Sequence, residues 1–166
     1  MFDNTEKCIY NLKNMKPSES HKKIMNSIAT NCLSVRLRLM NRIVGSIYDA
    51  ALRPHGIKAS QLTILVTVSA FDRANSKALC RALHMDTSTF SRALAILKKN
   101  QWLHVEPSGE GKILKIEVTR EGLKKIEEVY PDWQRAQDRA IEVLGEATSE
   151  AIISSGTQHL LNGMTI

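Results

Sequence analysis

This sequence of 166 residues is poor in the residues and segments that define several classes of protein. Its three cysteines, Cys8, Cys32 and Cys80, are too few and too scattered for a disulfide framework, and none is in a CxxC pair. Its five histidines follow neither HxxxH nor HExxH spacing, so no metal site is expected. It lacks the roughly 20 consecutive apolar residues that span a bilayer, and its polar first residues lack the apolar segment of a signal peptide. We therefore expect a soluble cytoplasmic protein without membrane contact, metal or other cofactor.

Catalytic motifs are scarce as well. The segment GEGK at residues 109–112 has the composition of a phosphate-binding loop, but Ile113 follows its lysine and the GxxxxGK[ST] spacing is absent. The sequence also lacks a GxSxG nucleophile turn and a glycine-rich turn between a strand and a helix. We therefore expect that the protein is not an enzyme.

Positive charge is abundant in the first two thirds of the chain. The formal net charge of +6 is divided into +6 for residues 1–60, +4 for residues 61–120 and −4 for residues 121–166. A basic body with an acidic carboxyl-terminal segment is typical of a protein whose partner is a polyanion.

Helical periodicity dominates the pattern of apolar residues. After a polar arm, residues 20–52 contain no proline, and two adjacent rows of apolar side chains repeat at three- and four-residue spacing. This pattern predicts one long helix that is largely buried. Pro54 and Gly56 end it, and the uncharged residues 59–71 predict a second helix because the stretch is longer than a usual buried strand.

The most informative segment is residues 76–103. A short helix that Ser76 can cap is followed by a tight connection and a second helix, which Asp86 or Thr87 can cap and which runs to about Asn100. Apolar residues occupy one side of the second helix. The opposite side is small, polar and basic, and consists of Ser88, Arg92, Ala95 and Lys99. This arrangement predicts a helix-turn-helix whose second helix, the reading helix, fits the major groove of DNA.

Beyond this helix the period of the pattern changes from 3.6 to 2. Residues 103–118 alternate apolar and charged side chains around the turn PSGEGK, and so predict a β-hairpin that forms a wing. Thr119 is expected to cap further amphipathic helices. Their last apolar residues, including Ile152 and Ile153, need a partner surface, for which the long first helix of a second copy is a candidate.

These elements, in this order, resemble the MarR family of winged-helix transcriptional regulators over roughly residues 30–145. The resemblance rests on YDAALRPHGIKASQLTIL, LCRALHMDTSTFSRALAILKKNQWL and GEGKILKIEVTREG. It implies a mainly α fold, with a winged helix-turn-helix, a small β-hairpin wing, and long terminal helices that form a dimerisation domain. The implied parts are an arm and dimerisation helix (1–52), a DNA-binding domain (53–118) and carboxyl-terminal dimerisation helices (119–166), intertwined as one domain.

Two positions depart from the family's pattern. The family usually has Asp-x-Arg at the tip of the wing, whereas this chain has Glu110-Gly111-Lys112, which loses the planar guanidinium that favours a narrow minor groove. The glycine that usually ends the reading helix is Gln101 here. We expect Asn100 to adopt the left-handed conformation in its place.

The pattern and the resemblance together predict a homodimeric repressor that binds a pseudo-palindromic operator in double-stranded DNA. Arg92 is expected to bond to guanine or to a phosphate. The predicted DNA-binding residues are Thr87, Ser88, Thr89, Ser91, Arg92, Lys98, Lys99 and Lys112. The alternative for this face is a solvated helix surface, and the alternative function is a winged-helix module that binds protein without recognising specific DNA.

The resemblance also implies release from DNA by a small phenolic or other anionic effector, or by oxidation of a cysteine. The expected pocket residues are Arg36, Tyr48, His55 and Trp102, although Arg36 also fits a pairing with an acidic side chain. Cys32 is the possible redox sensor, because some branches of the family have a sensing cysteine near the start of the first helix. Its other interpretation, which we favour, is a small hydrophobe on a buried face.

Overall fold

The computed structural model describes residues 16–70, 74–109 and 113–164, with side chains described as far as residue 160. The helices are α1 (Glu19–Asn31), α2 (Leu33–Leu52), α3 (Ala59–Ser69), α4 (Ser76–Ala82), α5 (Thr87–Lys99), α6 (Arg120–Leu144) and α7 (Glu146–Met164). The strands are β1 (Ala74–Asn75), β2 (Leu103–Pro107) and β3 (Leu114–Val118). The predicted mainly α fold with a small wing is confirmed. The arm up to residue 15 and the wing tip with Lys112 lie outside the described residues.

Contacts divide the chain into two compact units, residues 1–42 and 43–166. The boundary falls inside α2, so it does not coincide with the expected boundaries at residues 52 and 118, which concern dimerisation and DNA binding and stay a prediction. The two units are described separately below.

The first unit corrects the prediction of one long buried helix over residues 20–52. Two helices are present, because Cys32 between them has an extended backbone with ψ of 108°. The Arg36 guanidinium donates to the carbonyl oxygens of Ala29 and Thr30, at 2.8 and 3.1 Å, and so caps the carboxyl end of α1. The apolar side chains of both helices are largely exposed, with Ile28 at 58%. Periodicity identifies an apolar face but does not say what covers it.

The second unit has its core where α3, α4 and α5 pack with a three-stranded antiparallel sheet. The strand order is β1-β3-β2, and Ile116 of β3 is paired with Ala74 on one side and Val105 on the other. The two-residue strand β1 was not predicted from the sequence, since so short a segment has no periodicity. The core side chains that are at most 1% exposed include Leu52, Ile64, Leu65, Leu79, Phe90, Leu97 and Ile116. Each such side chain stabilises the unit by roughly 1.5–3 kcal/mol through burial.

The predicted helix-turn-helix is formed by α4 and α5. Asn75 caps α4 by accepting a hydrogen bond from the amide of Ala78 at 2.8 Å, which corrects the expectation of Ser76, the first residue of the helix itself. In the turn that follows, His84 has a left-handed backbone with φ of 48°. Asp86 caps α5.

The end of α5 corrects the expectation for Asn100. Asn100 has φ of −80°, and it is Gln101 that is left-handed, with φ of 61°. The amide of Trp102 donates to the carbonyl of Leu97 and that of Gln101 donates to the carbonyl of Lys98, both at 3.0 Å. These two bonds are the Schellman motif, in which the left-handed residue is the second after the last helical one. Gln101 occupies that position and Asn100 does not.

The first turn of α6 lies directly against the end of α5. The Thr119 amide donates to the carbonyl of Trp102 at 3.1 Å, and the Thr119 hydroxyl donates to the carbonyl of Gln101 at 2.6 Å. A Cβ atom at Gly122 would lie 2.2 Å from the carbonyl oxygen of Trp102, so only glycine permits this approach. Farther along the chain, α7 contacts α4 and α6 of its own chain, while Ile152 and Ile153 remain about half exposed.

Candidate nucleic-acid interface

The reading helix α5 has one buried and one exposed side, as predicted. Phe90, Leu94 and Leu97 are 1%, 4% and 0% exposed. The predicted DNA-binding residues of this helix are all exposed, namely Thr87, Ser88, Thr89, Ser91, Arg92, Lys98 and Lys99. At 100° per residue, Ser88, Arg92 and Lys99 lie within about 40° of one another around the helix axis. The exposed side is therefore a narrow strip that carries hydroxyl groups and cations.

Asp86 determines the direction of the hydrogen bonds at the amino-terminal end of this strip. Its carboxylate accepts the Ser88 hydroxyl at 2.6 Å and the Thr89 amide at 2.9 Å. These bonds, that of Ser88 first, hold the pKa of Asp86 well below its usual range. Because the Ser88 hydroxyl donates its hydrogen bond to the ionised carboxylate, only its lone pairs remain for a further partner. In this arrangement Ser88 can accept another hydrogen bond but cannot donate one.

Arg92 is held over the first turns of α5 and keeps donors to spare. Its Nη2 atom donates to the Thr89 hydroxyl oxygen at 3.2 Å. A guanidinium has five N–H donors, so those that remain suffice for a bidentate contact with guanine or phosphate.

The cationic side chains of α5 differ from those of the elements around it in their ion pairs. Among the residues that the structure describes, Arg92, Lys98 and Lys99 are in no ion pair. In contrast, Lys125 and Arg139 of α6 pair with Glu128 and Glu142 at 2.6 and 2.7 Å. The positive charge of the reading helix is thus left for an external anion.

The wing is less available for phosphate contact in its described part. The Ser108 amide donates to the Ile113 carbonyl at 3.0 Å and closes the hairpin. Lys115 of β3 pairs with Glu117 at 2.9 Å and with Glu106 at 3.3 Å, and these carboxylates, Glu117 first, raise the pKa of its ammonium. The charge of Lys115 is therefore compensated locally, and the role of Lys112 stays a prediction.

A cavity of about 490 Å³ lies in the second unit, lined by the last part of α2 and by α3 and α6. The aromatic rings of its lining are Tyr48, Tyr130 and Trp133, and most of the rest is aliphatic. The lining threonines, Thr63 and Thr67, donate their hydroxyl protons to backbone carbonyls of α3 at 3.0 and 2.7 Å. Among the described residues, no charged side chain lines the cavity, so it is suited to an apolar molecule.

Of the four residues expected at an effector pocket, Tyr48 lines this cavity. Its hydroxyl donates to the Gln137 side chain, and burial raises the pKa of Tyr48, so the phenol is neutral. Tyr130 and Trp133 were not among the pocket residues predicted from the sequence. Their spacing of three residues in a helical pattern places the two rings on one face of the helix and could have indicated them.

The structure places His55 and Trp102 outside that cavity. The two ring nitrogens of His55 lie 2.9 Å from Glu128 and 2.8 Å from Asp132, and its side chain is 15% exposed. Both nitrogens must donate to reach two carboxylates, so the ring is an imidazolium, and these bonds, that of Glu128 first, raise the pKa of His55. The Nζ atom of Lys125 lies 5.3 Å from the centroid of the Trp102 ring in a cation–π contact.

The other two residues of the predicted effector and redox sites belong to the first unit. Arg36 caps α1 as described above, so its guanidinium is bonded to backbone carbonyls, and no acidic side chain in the described ranges pairs with it. Cys32 is a free, half-buried thiol at the break between α1 and α2. A redox role for Cys32 stays a prediction.

Comparison with known proteins agrees with this geometry. The sequence profile of the MarR family matches residues 55–112, which include the whole helix-turn-helix and β2. This segment of the chain is similar to the MarR family. No curated protein sequence matches the chain. None of the helices that the structure describes is both long enough and apolar enough to span a membrane.

Solved structures of MarR-family regulators share the fold of this chain. The M. tuberculosis transcriptional regulator MosR in complex with DNA is 22% identical, with a TM-score of 0.65 over 77% of this chain and 96% of that one. A mutant E. coli MarR complexed with operator DNA is 17% identical, with a TM-score of 0.67 over 81% and 97% of the two chains. The oxidized form of E. coli MarR is 18% identical, with a TM-score of 0.61 over 77% and 93%. At these identities the likeness shows that this chain has the fold of MarR-family transcriptional regulators.

Proposed function

We propose that this chain is a homodimeric repressor of the MarR family that recognises a pseudo-palindromic DNA sequence and leaves it when a small molecule binds. The observation that carries the proposal is the exposed strip of α5. It presents Ser88, Arg92 and Lys99 together in a helix-turn-helix followed by a wing, and its cations are in no described ion pair. The two structural relatives solved with DNA support the choice of partner.

The proposed dimer rests on the apolar side chains of α1 and α2. Those of the first unit that are 37–69% exposed are Ile24, Met25, Ile28, Leu33, Val35, Leu37, Leu39 and Met40. A monomer rarely leaves so many large apolar side chains exposed on two neighbouring helices, whereas a second copy would cover them. Two copies would present two reading helices to half-sites about one helical turn apart, ~34 Å from centre to centre.

The proposed effector binds the cavity lined by Tyr48, Tyr130 and Trp133. Since no charged side chain is described in the lining, an uncharged aromatic molecule fits better than the anionic one expected from the family. The cavity is lined by both α2 and α6, so a ligand that changes the angle between these helices would change the distance between the two reading helices of the dimer. A coupling free energy of ~1–3 kcal/mol is enough for regulation.

Selection from a random duplex pool at about 150 mM salt tests the DNA-binding proposal. We expect the bound fraction to be enriched in an inverted repeat, and binding to weaken with salt at a slope near −0.9 for each neutralised phosphate. Absence of binding would contradict the proposal and favour a protein-binding module.

Two arginine variants locate the interface on α5. Arg92→Ala is expected to weaken binding to the selected duplex by ~1–3 kcal/mol and to relax the preference at one base pair. Arg139→Ala is the matched control, because Arg139 is similarly charged but pairs with Glu142 on α6. Equal losses for Arg92→Ala on specific and random duplexes would mean that Arg92 contacts a phosphate only.

A further inference from the structure

An exposed isoleucine on the reading helix has no role in the interface described so far. Ile96 is 43% exposed, whereas the apolar residues on the other side of α5 are in the core. Ile96 follows Arg92 by four residues, which places it about 6 Å farther along the axis and about 40° around it. It therefore borders the exposed strip of α5 one turn beyond Arg92.

The surroundings of Ile96 determine which partner it fits. Arg92 and Lys99 lie about 40° and 60° from Ile96 around the helix axis, and neither cation is in a described ion pair. An apolar protein surface would have to bury these charges, at a high cost in desolvation. Duplex DNA neutralises them with phosphates, and the small exposed side chain of Ala95 lets the helix backbone come close to the base edges.

The major groove of DNA offers an isoleucine one kind of apolar group. Each base pair presents hydrogen-bond donors and acceptors there, and only thymine adds a 5-methyl group. We propose that Ile96 is a specificity-determining residue that packs against the 5-methyl group of a thymine, one turn of α5 beyond the contact of Arg92. This inference rests on the proposed DNA-binding function and adds a base preference to it.

The test uses uracil, which lacks only the 5-methyl group of thymine. In the duplex selected by the wild-type protein, each thymine is replaced in turn, together with its symmetry mate, and the dissociation constant is measured. At one position we expect a loss of about four-fold per half-site, the value of one buried methyl group. Ile96→Ala should bind the thymine duplex more weakly by a similar or larger factor, and should show no further loss with uracil at that position.

Two further variants separate this role from a general effect of truncation. Leu123→Ala removes an apolar side chain of similar exposure, 47%, from α6, and should keep the wild-type ratio between thymine and uracil. Ile96→Gln keeps a side chain of similar length without its apolar end, and should lose that ratio. Unfolding curves that match the wild type would confirm that both Ile96 variants are folded, as expected at an exposed position.

The possible outcomes are distinct. Uracil replacements that affect wild type and Ile96→Ala equally at every position would overturn the assignment, as would a selected duplex in which no thymine methyl matters. Wild-type affinity of Ile96→Ala for the thymine duplex would also overturn it. If the wild-type protein enriches no duplex, the proposed function itself fails before Ile96 is tested, and the assignment fails with it.

Discussion

The reading helix α5 and the pair α1 and α2 have the same kind of sequence pattern and opposite environments. In α5 the apolar residues Phe90 and Leu97 are at most 1% exposed, whereas Ile28 of α1 and Leu33 of α2 are 58% and 69% exposed. The apolar face of α5 is covered by the second unit of the same chain. The faces of α1 and α2 are exposed in the single chain, and in the proposed dimer a second copy covers them. Amphipathic periodicity therefore identifies an interface without saying whether it lies within one chain or between two.

The largest expected effect is on the buried side of α5. Phe90→Ala should lower the free energy of unfolding of the second unit by ~3–5 kcal/mol. The substitution removes a large ring from the core, and the surrounding side chains cannot fully fill the space that it leaves. Urea denaturation followed by far-ultraviolet circular dichroism measures this loss. Ile96→Ala is the control on the exposed side of the same helix, and a comparable loss there would contradict the division into a buried and an exposed side.

A charge placed on the exposed face of α1 tests the other half of the comparison. Ile28→Asp should raise the dissociation constant of the dimer by about a hundred-fold, ~2.7 kcal/mol, because dimerisation would bury an unpaired carboxylate. Sedimentation at several protein concentrations measures the shift toward the monomer. Ile28→Leu should stay dimeric, and a dimer of Ile28→Asp with wild-type affinity would place the interface elsewhere.

A smaller effect is expected from His55, which lies between α2 and α3. Its ring forms an ionic link with Glu128 and Asp132 of α6. Because the pKa of His55 is raised in the folded protein, its bonds to Glu128 and Asp132 make their full contribution to the free energy of unfolding below about pH 6.5, the usual pKa of histidine in an unfolded chain. That contribution is lost as the pH rises through the folded-state pKa. The urea midpoint of the wild type should therefore fall between pH 6 and pH 8.5, while that of His55→Gln changes less. Parallel curves would show that His55 is not an imidazolium in the folded protein.

The sequence predicted most reliably what depends on neighbours in the chain. The cap at Asp86, the face with Ser88 and Arg92, and the hairpin of residues 103–118 all follow from periods and caps that a short segment contains. The cavity and the ionic link of His55 were not predictable in this way. They join residues far apart in the chain, such as Tyr48 with Trp133 and His55 with Glu128, and single-sequence patterns do not specify such pairs.

The end of α5 gives the smallest expected effect and a direct test of backbone geometry. Gln101→Gly should raise the free energy of unfolding by about 0.5–1 kcal/mol, because glycine adopts the left-handed conformation of residue 101 without a clash of its side chain. Asn100→Gly is the adjacent control, and should lower the stability by up to ~1 kcal/mol because residue 100 has φ of −80° and gains nothing from glycine. Urea midpoints of the two variants measure this difference in sign. Stabilisation by Asn100→Gly and not by Gln101→Gly would mean that the helix ends one residue earlier, and that Asn100 after all takes the position where the family usually has glycine.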